Sequence, residues 1–484
     1  MATGPRFSTV ATPTGAEPFA GRWLALPVVL VALFMAQFDL YAVNVSLPLL
    51  QRDLHAGQAS LQLIVGGYAF MYATGLITGG RLGDMYGHRR LFVLGALAFA
   101  AASLLAGLSQ TAGELVACRL LQGLTASAMV PQVLATIGTA FPPGERPRAL
   151  SWLGVTMGIG AVAGQVLGGV LLEVNLAGLS WRPIFLVNVP IGLVAGWLGA
   201  RLLPGWQSAD PPKLDLVGTL AVSAGLALIL VPLSLGRSVH WVLWTWVCFA
   251  AGPLVLAFAL HWERRVLRAQ RQPFLDLRLF QDRAFNLGII GNVAAFGAFF
   301  SLLFTLSLLL QSGLGLSPLL AGLTFAPLGV AFAAASVAAR TLVARFGPRV
   351  ITLGLLIVCL GLISLLVAVH LGGGSTTVAD VIGPMALIGL GNGMSVPSLI
   401  GATLAAIRVK QAGAAAGVLT TSQQFASAAG VAGLGSLLFA VLGKGTRAGA
   451  YAGAIQWTTG ASLILAAIAT IVTTRLRPPA PPKS

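Results

Sequence analysis

Apolar runs long enough to cross a membrane recur along almost the whole of this chain, and they constrain its fold more than any other feature. A hydrocarbon core of about 30 Å needs about 20 consecutive apolar residues in a helix. Only 9% of the residues are charged and the mean hydropathy is +0.89, whereas soluble domains carry about 25% charged residues. Because lipid cannot satisfy backbone polar groups, such runs form helices. The sequence therefore predicts an all-α polytopic membrane protein.

Fourteen runs of this kind can be placed on the sequence, and they are taken as transmembrane spans. They cover residues 24–49, 60–80, 90–110, 114–140, 150–172, 184–203, 214–236, 241–262, 284–311, 317–343, 350–370, 377–405, 412–442 and 452–474. Twelve spans accompanied by two re-entrant segments are the alternative.

The basic residues fall mainly in alternate connections between these spans. Twenty-three of the 29 Lys and Arg lie on one side, five lie on the other, and Arg119 lies within a span. Cytoplasmic connections carry the excess of Lys and Arg in membrane proteins. An even number of spans places both termini on one side, so this asymmetry predicts that both termini are cytoplasmic. A wrong count would scramble the alternation, so the asymmetry also supports fourteen spans.

An internal repeat indicates how the spans are grouped. Segment 345–349 (RFGPR) follows the tenth span much as segment 85–89 (MYGHR) follows the second. Parallel repeats related by an axis along the membrane normal occur in transporters. The predicted organisation is a cytoplasmic tail at 1–22, a six-helix bundle at 23–203, two extra spans at 204–262, a cytoplasmic linker at 263–283, a second six-helix bundle at 284–474 and a disordered cytoplasmic tail at 475–484.

The loop between the second and third spans reads GGRLGDMYGHRR. Its glycines allow close approach of backbones, and its arginines favour the cytoplasmic side. Asp84 can accept hydrogen bonds at a helix start. We expect a conformational gate here, formed by Gly80, Asp84, Gly87, Arg89 and Arg90; an ordinary positive-inside loop is the alternative.

Asp39 is the acidic residue that stands clearly inside a span, and Arg119 is the corresponding cation. A carboxylate at mid-membrane costs about 2.5–3.5 kcal/mol on insertion scales, so it implies a function or a partner. The arginine does not deprotonate, but it can lower the proton affinity of a nearby carboxylate while desolvation raises it. We predict that Asp39 accepts the coupling proton and that Arg119 is its electrostatic switch. A structural ion pair is the alternative.

Polar side chains recur on two sides of the first span, which predicts that this helix borders a central cavity rather than lipid. The second half offers amides among aromatic and methyl-bearing positions, a surface suited to a bulky amphipathic organic molecule. Each amide can instead be a hydrogen bond between helices. The predicted substrate cavity comprises Gln37, Tyr41, Asn44, Gln122, Met129, Gln165, Asn292, Gln311, Asn392 and Gln423.

The fifth span carries small residues at intervals of four, a spacing that permits close helix crossing. Such a seam serves either as the line along which the two halves rock or simply as packing. The glycines concerned are Gly154, Gly158, Gly160, Gly164 and Gly168.

Several other functions are disfavoured by the sequence. The net charge of +16 is spread over alternate connections rather than on one domain, so no nucleic-acid partner is expected. The three cysteines lie far apart in apolar runs, which excludes a disulfide framework and a cysteine metal site. No phosphate-binding loop is present, which argues against ATP-driven transport. All five histidines lie in loops or at span ends, which disfavours a membrane-embedded metalloenzyme.

Beyond the loop at 80–90, four segments resemble signature motifs of the 14-helix drug:proton antiporters (EmrB/QacA type) of the major facilitator superfamily. These segments are 39–48 (DLYAVNVSLP), 119–123 (RLLQG), 181–192 (WRPIFLVNVPIG) and 277–285 (LRLFQDRAF). The resemblance covers nearly the whole chain and is specific for the family rather than for a substrate. It departs at 164–169 (GQVLGG), where Gln165 stands in place of the proline of the fifth-helix motif.

The resemblance implies the major facilitator fold and proton-driven export of amphipathic drugs, antibiotics or toxic metabolites across a bacterial inner membrane. It implies no enzymatic activity, no metal and no cofactor beyond the proton gradient, with protons, a small molecule and the lipid bilayer as partners, and a monomer as the working unit. The change at Gln165 keeps a proton-linked importer of a metabolite as the alternative. Abundant Ala, Gly, Leu and Arg with few Lys are typical of high-GC actinobacteria, which suggests self-protection of an antibiotic producer.

Overall fold

The computed structural model describes residues 19, 21–142, 144–205, 215–269, 277–405, 407, 412–443, 445 and 447–476. Within these ranges the chain forms seventeen α-helices and short 3₁₀ or π turns. The helices are α1 (Arg22–Asp53), α2 (Gln58–Tyr86), α3 (His88–Leu108), α4 (Ala112–Met129), α5 (Pro131–Ala140), α6 (Arg146–Val174), α7 (Pro183–Leu186), α8 (Asn188–Leu202), α9 (Leu216–Leu235), α10 (Leu243–Arg268), α11 (Arg283–Leu308), α12 (Pro318–Thr324), α13 (Ala326–Phe346), α14 (Arg349–Gly372), α15 (Val378–Ala405), α16 (Ala412–Leu442) and α17 (Ala448–Thr473).

Fourteen helical segments in the described part of the chain are long and apolar enough to cross a membrane, which confirms the predicted number of spans. Three of these spans are each divided into two helices, α4 with α5, α7 with α8, and α12 with α13. Pro131 follows the first break directly, and a proline is well tolerated at the first position of a helix but not in its interior. Each division therefore lies within one span rather than between two.

Several helices run past the ends that hydropathy predicts. The second span is predicted to end at residue 80 but α2 continues to Tyr86, and the eighth is predicted to end at 262 but α10 continues to Arg268. The apolar pattern marks the part of a helix that lies in hydrocarbon, whereas polar turns beyond it continue the same hydrogen-bonded ladder. The helical end of α10 thus occupies the first residues of the segment predicted as the linker 263–283; residues 270–276 lie outside the described ranges.

The two predicted bundles have matching internal contacts. In the first, α1 packs on α6, α3 packs on α8, and α4 packs on both α2 and α3. In the second, α11 packs on α16, α14 packs on α17, and α15 packs on both α13 and α14. The order of partners along the chain is the same in each, so the repeat inferred from the loops extends to the packing of whole helices.

The bundles meet along two seams. At one seam α2 packs along α16, and at the other α6 packs against α12 and α13. We call the membrane face that holds the start of α1 and the α2–α3 junction the N-terminal face. Towards the opposite face, Ser307 and Gln311 donate hydrogen bonds to the backbone carbonyls of Asn44 and Val45, over 2.5 and 2.8 Å. These bonds join the end of α11 and the π turn that follows it to α1, and they hold the two bundles together there.

The extra pair of spans, α9 and α10, packs on the α2–α16 seam through α9. Ser436 on α16 donates a hydrogen bond to the carbonyl of Leu233 on α9 (2.9 Å). Asp215 caps the other end of α9 by accepting from the amide of Gly218, and it also accepts from the indole of Trp262 on α10. The pair is therefore attached to both bundles rather than standing apart from them.

Candidate functional site

Asp39 and Arg119, which the sequence places at similar membrane depth, are in direct contact in the structure. Asp39 lies near the middle of α1 and is 2% exposed, whereas Arg119 lies in α4 and is fully buried. The Arg119 Nη1 donates a hydrogen bond to Asp39 Oδ2. A pair of opposite charges is thus enclosed by protein, where screening by solvent is weakest.

Both charged groups are held by further hydrogen bonds from neighbouring helices. Arg119 Nη1 also donates to Gln122 Oε1 (2.9 Å), and its Nε donates to the carbonyl of Ile64 on α2 (2.8 Å). The second carboxylate oxygen, Asp39 Oδ1, accepts from the amides of Gln122 and of Asn188 on α8, each at 3.2 Å. Three donors therefore converge on the Asp39 carboxylate.

The same network reaches a fifth helix and two aromatic rings. Gln122 Nε2 donates to Ser103 Oγ on α3 (2.8 Å). The Arg119 guanidinium lies 4.5 Å from the ring centroid of Tyr68 and 5.8 Å from that of Phe185, distances at which a cation is attracted to a π face. The two rings form part of the enclosure in which the guanidinium is fully buried.

Two buried polar atoms of the network have no hydrogen-bond partner. They are Arg119 Nη2, a donor, and Asn188 Oδ1, an acceptor. Leaving a buried polar group unpaired costs about 1–3 kcal/mol, and more for a charged group. The site therefore retains one unused donor and one unused acceptor beside the Asp39 carboxylate.

Two residues predicted to line the substrate cavity belong to the interior of the first bundle instead. Gln122 is fully buried in the ionic network, and Met129 is fully buried where α4 crosses Gly95 of α3. The helical spacing that grouped them with Arg119 is correct, but the face they share points into the bundle. Asp39 likewise lies within the bundle rather than on a surface that a ligand could reach.

The other polar side of α1 faces the junction between the bundles. Gln37 and Tyr41 are partly exposed, and the Tyr41 ring lies 5.6 Å from the ring of Phe300 on α11. Asn44 is buried and donates to the carbonyl of Leu40 within its own helix. Of the predicted cavity residues on α1, Gln37 and Tyr41 thus have a surface that a ligand could reach.

The glycine seam of α6 is used within the first bundle. A Cβ at Gly164 would lie 2.7 Å from atoms of α1, and Cβ atoms at Gly160 and Gly168 would lie 2.8 and 3.1 Å from it. These three glycines therefore allow α1 and α6 to touch, and the structure favours packing over a rocking surface between halves. A Cβ at Gly158 would meet no atom within 4 Å, and the surroundings of Gly154 lie outside the described residues.

Contact of α6 with the second bundle is made through a different face. A Cβ at Gly322 of α12 would lie 2.4 Å from the carbonyl of Gln165, and one at Gly169 would lie 2.7 Å from the carbonyl of Pro318. Gln165 itself is 5% exposed, and neither atom of its amide has a hydrogen-bond partner. The residue that departs from the family motif therefore lies at a close approach of the two bundles.

The amides of the second bundle mostly join helices. Gln423 on α16 donates to Asn292 Oδ1 on α11 (2.8 Å), and Gln311 binds α1 as described. Asn392 donates to the carbonyl of Ile388 one turn earlier and borders a small apolar pocket with Phe299. The interpretation of these amides as interhelical hydrogen bonds is correct for Gln423, Asn292 and Gln311.

The loop predicted as a gate connects α2 to α3 through one residue, Gly87, whose φ of +96° is unfavourable for any side chain. Asp84 lies 3.3 Å from the ring of His88, an ion-pair partner that the sequence analysis did not propose. Arg90 is exposed and Arg89 is partly buried. The surroundings of Gly80 are open, since its Cβ would approach nothing closer than 3.9 Å, so the close approach predicted for it is wrong.

The sequence of residues 29–431 matches the family model of the Major Facilitator Superfamily. This chain belongs to that superfamily. It is 36% identical over 434 residues to a probable actinorhodin transporter of Streptomyces coelicolor, an alignment covering 90% of this chain and 75% of that protein. It is also 36% identical to the puromycin resistance protein of Streptomyces alboniger (89% and 85% covered) and 32% identical to the tetracenomycin C resistance and export protein of Streptomyces glaucescens (89% and 78% covered).

Solved structures of the superfamily have the same fold. A bacterial homologue of the human lysosomal transporter Spinster, in an inward-facing and unoccupied conformation, gives a TM-score of 0.69 at 15% identity, covering 96% of this chain and all of that one. An auto-inhibited peptide transporter of the POT family gives 0.66 at 16% identity, with 95% and 99% covered. At such low identity the likeness is one of fold alone.

Proposed function

We propose that this protein is a proton-coupled antiporter that exports amphipathic drugs, antibiotics or toxic metabolites. The observation that carries the proposal is the buried Asp39–Arg119 pair at the centre of the first bundle. Ionisable groups inside membrane spans mark proton and ion pathways, because their burial is costly without a function or a partner. The relatives named for antibiotic export and resistance support the same conclusion.

Protonation of Asp39 would change both the charge and the hydrogen bonding of the site. The carboxylate is matched by Arg119, so adding a proton leaves a net positive charge in the bundle interior. A protonated oxygen also becomes a donor, and it would then oppose the amide N–H groups of Gln122 or Asn188 that now point at it. The arrangement seen here therefore fits the deprotonated state, and protonation requires the network to rearrange.

Asn188 provides a direct way for that rearrangement to occur. Its Nδ2 donates to Asp39, whereas its Oδ1 has no partner. A half-turn of the amide would present the oxygen to a protonated Asp39 and give the added proton an acceptor. Asn188 belongs to α8, and α1 carries Asp39, so the proton would alter the contact between these two helices.

The substrate would bind where the two bundles meet rather than at the ion pair. Tyr41, Phe300 and Gln37 lie at that junction. Aromatic rings with few fixed hydrogen-bonding groups suit a large planar or amphipathic molecule better than a sugar. Proton and substrate would thus act on different surfaces of the same helix, α1.

The proposed setting is the cytoplasmic membrane of a bacterium, with both termini in the cytoplasm. The excess of Lys and Arg in the connections of one face supports this orientation. The transport cycle needs no cofactor, because the proton gradient supplies the free energy. The proposed working unit is a monomer.

Inverted membrane vesicles energised by respiration offer the test. Ethidium should accumulate in vesicles containing the wild-type protein, and its addition should reduce the pH gradient reported by a quenched acridine dye. The Asp39→Asn variant, compared at equal protein level, should lose both signals. Ethidium accumulation that persists in Asp39→Asn would remove Asp39 from proton coupling.

The matched control is Glu173→Gln, which neutralises an exposed acid of α6 outside the network. It should retain both signals. Proton-dependent accumulation of a substrate in the opposite direction, into right-side-out vesicles or cells, would favour the importer over the exporter. If ethidium is not a substrate, the same vesicles can be tested with actinorhodin, puromycin and tetracenomycin C, the compounds for which the relatives are named.

A further inference from the structure

His88 occupies an unusual position at the junction between α2 and α3. It is the first residue of α3, directly after the single connecting residue Gly87, and its side chain is only 13% exposed. Its Nδ1 lies 2.8 Å from Gln132 Oε1 on α5, and its Nε2 lies 3.3 Å from Asp84 Oδ1 on α2. One imidazole ring thus contacts two other helices through both of its nitrogens.

The orientation of the Gln132 amide is fixed by its other partners. Gln132 is fully buried, and its Nε2 donates to the carbonyl of Gly79 (3.0 Å) and to that of Ala128 (2.9 Å). Turning the amide over would place its oxygen against two carbonyl oxygens. The atom that faces His88 is therefore the oxygen, which can only accept a hydrogen bond.

The partner of the other nitrogen is also an acceptor. An ionised Asp84 carboxylate has no proton to donate. Neutral imidazole carries one N–H and one lone pair, so in either tautomer one nitrogen would direct its lone pair at an acceptor oxygen. The imidazolium form has two N–H groups and satisfies both Gln132 and Asp84.

The charges around His88 are few and come from known elements. α2 contributes Asp84 and, beside it, Arg81; α3 itself contributes Arg89 and Arg90. Helix α5 carries no charged residue. Asp84 therefore supplies the negative charge in contact with the ring, and Gln132 supplies the buried acceptor.

We infer that His88 is a second proton-binding site, separate from Asp39, and that its protonation attaches the α2–α3 junction to α5. With a proton bound, the ring bridges three helices at the N-terminal face. Loss of the proton leaves a lone pair facing an oxygen, so the bridge opens on one side and the junction loosens. Because α2 packs along α16 of the other bundle, the state of His88 also sets how firmly the end of α2 is held at the seam between halves.

The first measurement is a pH titration of His88 in the purified full-length protein. The protein is labelled with ¹³C at histidine Cε1 and held in nanodiscs. Of its histidine resonances, the one that disappears in His88→Gln is assigned to His88. In wild type this resonance should titrate. In Asp84→Asn the midpoint should move to lower pH by about one unit, because the neighbouring negative charge is lost. An unchanged midpoint in Asp84→Asn, or no titration at all, would overturn the inference.

The second measurement tests the structural consequence and does not depend on transport. Deuterium uptake of peptides covering residues 79–90, corrected for intrinsic exchange, should rise several-fold as the pH passes the His88 midpoint. Uptake in His88→Gln should be high and independent of pH. The control His261→Gln, which alters an exposed histidine on α10, should behave as wild type.

A third variant guards against misfolding of His88→Gln. His88→Arg keeps a permanent positive charge and several N–H donors, so uptake by residues 79–90 should stay low across the pH range. High uptake in His88→Arg together with normal thermal stability would contradict the proposed role of charge. Since none of these measurements uses a substrate, they stand even if the proposed antiport of drugs fails its own test.

Discussion

The enclosed ion pair predicts a specific pattern of stability changes. In Asp39→Asn, the fully buried Arg119 retains its bonds to Gln122 and to the carbonyl of Ile64, but no negative charge remains in contact with it. Breaking a buried pair by removing one partner costs about 3–5 kcal/mol, so we expect Asp39→Asn to lower the free energy of unfolding by about that amount.

Arg119→Met is expected to be destabilising as well, because Asp39 would then be an unpaired carboxylate held only by two amides. The double variant Asp39→Asn/Arg119→Met removes both charges, and buried pairs replaced by neutral groups are often as stable as the original. Its destabilisation should therefore be smaller than the sum of the two single changes by about 2 kcal/mol or more.

Unfolding by dodecyl sulfate in mixed micelles, followed by tryptophan fluorescence, measures these differences in one set of conditions. The reasoning would be refuted by strict additivity of the two single changes, or by an Asp39→Asn variant as stable as wild type. Either outcome would mean that water or another charge compensates the pair, and that the interior of the first bundle is not the weakly screened environment that the structure indicates.

Three further predictions follow from other parts of the chain. Gly158→Ala should leave the unfolding free energy unchanged or raise it by up to about 1 kcal/mol, because its Cβ would meet no atom within 4 Å. Gly164→Ala should lower the unfolding free energy by about 1–3 kcal/mol, because its Cβ would overlap α1. The same dodecyl sulfate titration compares the two variants. Gln165→Leu should be more stable by about 1–3 kcal/mol, since it removes a buried amide with no partner, and an unchanged or lower stability would show that the amide is satisfied. Hydrogen bonds from Arg22 hold the pKa of Glu145 below its usual value of 4.5. The stabilisation of the fold by this ion pair is therefore complete above pH 4.5 and is lost as the pH falls through the lowered pKa. Thermal unfolding from pH 6 down to 3 should show this loss in wild type but not in Glu145→Gln.

The spans and the ion pair could be predicted from the sequence because both depend on rare features of a lipid environment. Long apolar runs have few alternatives to spanning helices. A single acid and a single base at similar depth have few possible partners, so contact between Asp39 and Arg119 followed from scarcity rather than from spacing. Their roles in proton coupling remain predictions.

The surroundings of the pair were less accessible to such reasoning. Asn188 was visible only within a family motif, and Ser103 lies in an alanine-rich helix where one hydroxyl gives no signal. Periodicity assigns residues to one face of a helix but does not say which neighbour that face meets. Gln122 and Met129 were accordingly placed on a cavity, although their face of α4 packs inside the bundle.

The attachment of α9 makes the two seams of the protein unequal. Helix α9 packs on both α2 and α16, and the carbonyl of its Leu233 accepts a hydrogen bond from α16. Helix α2 therefore cannot slide far along α16 without disturbing its contact with α9. The other seam is formed by glycines and by Gln165, whose amide gains hydrogen bonds as soon as water enters. We therefore expect the two bundles to separate more easily along the seam between α6 and α12 than along the seam between α2 and α16.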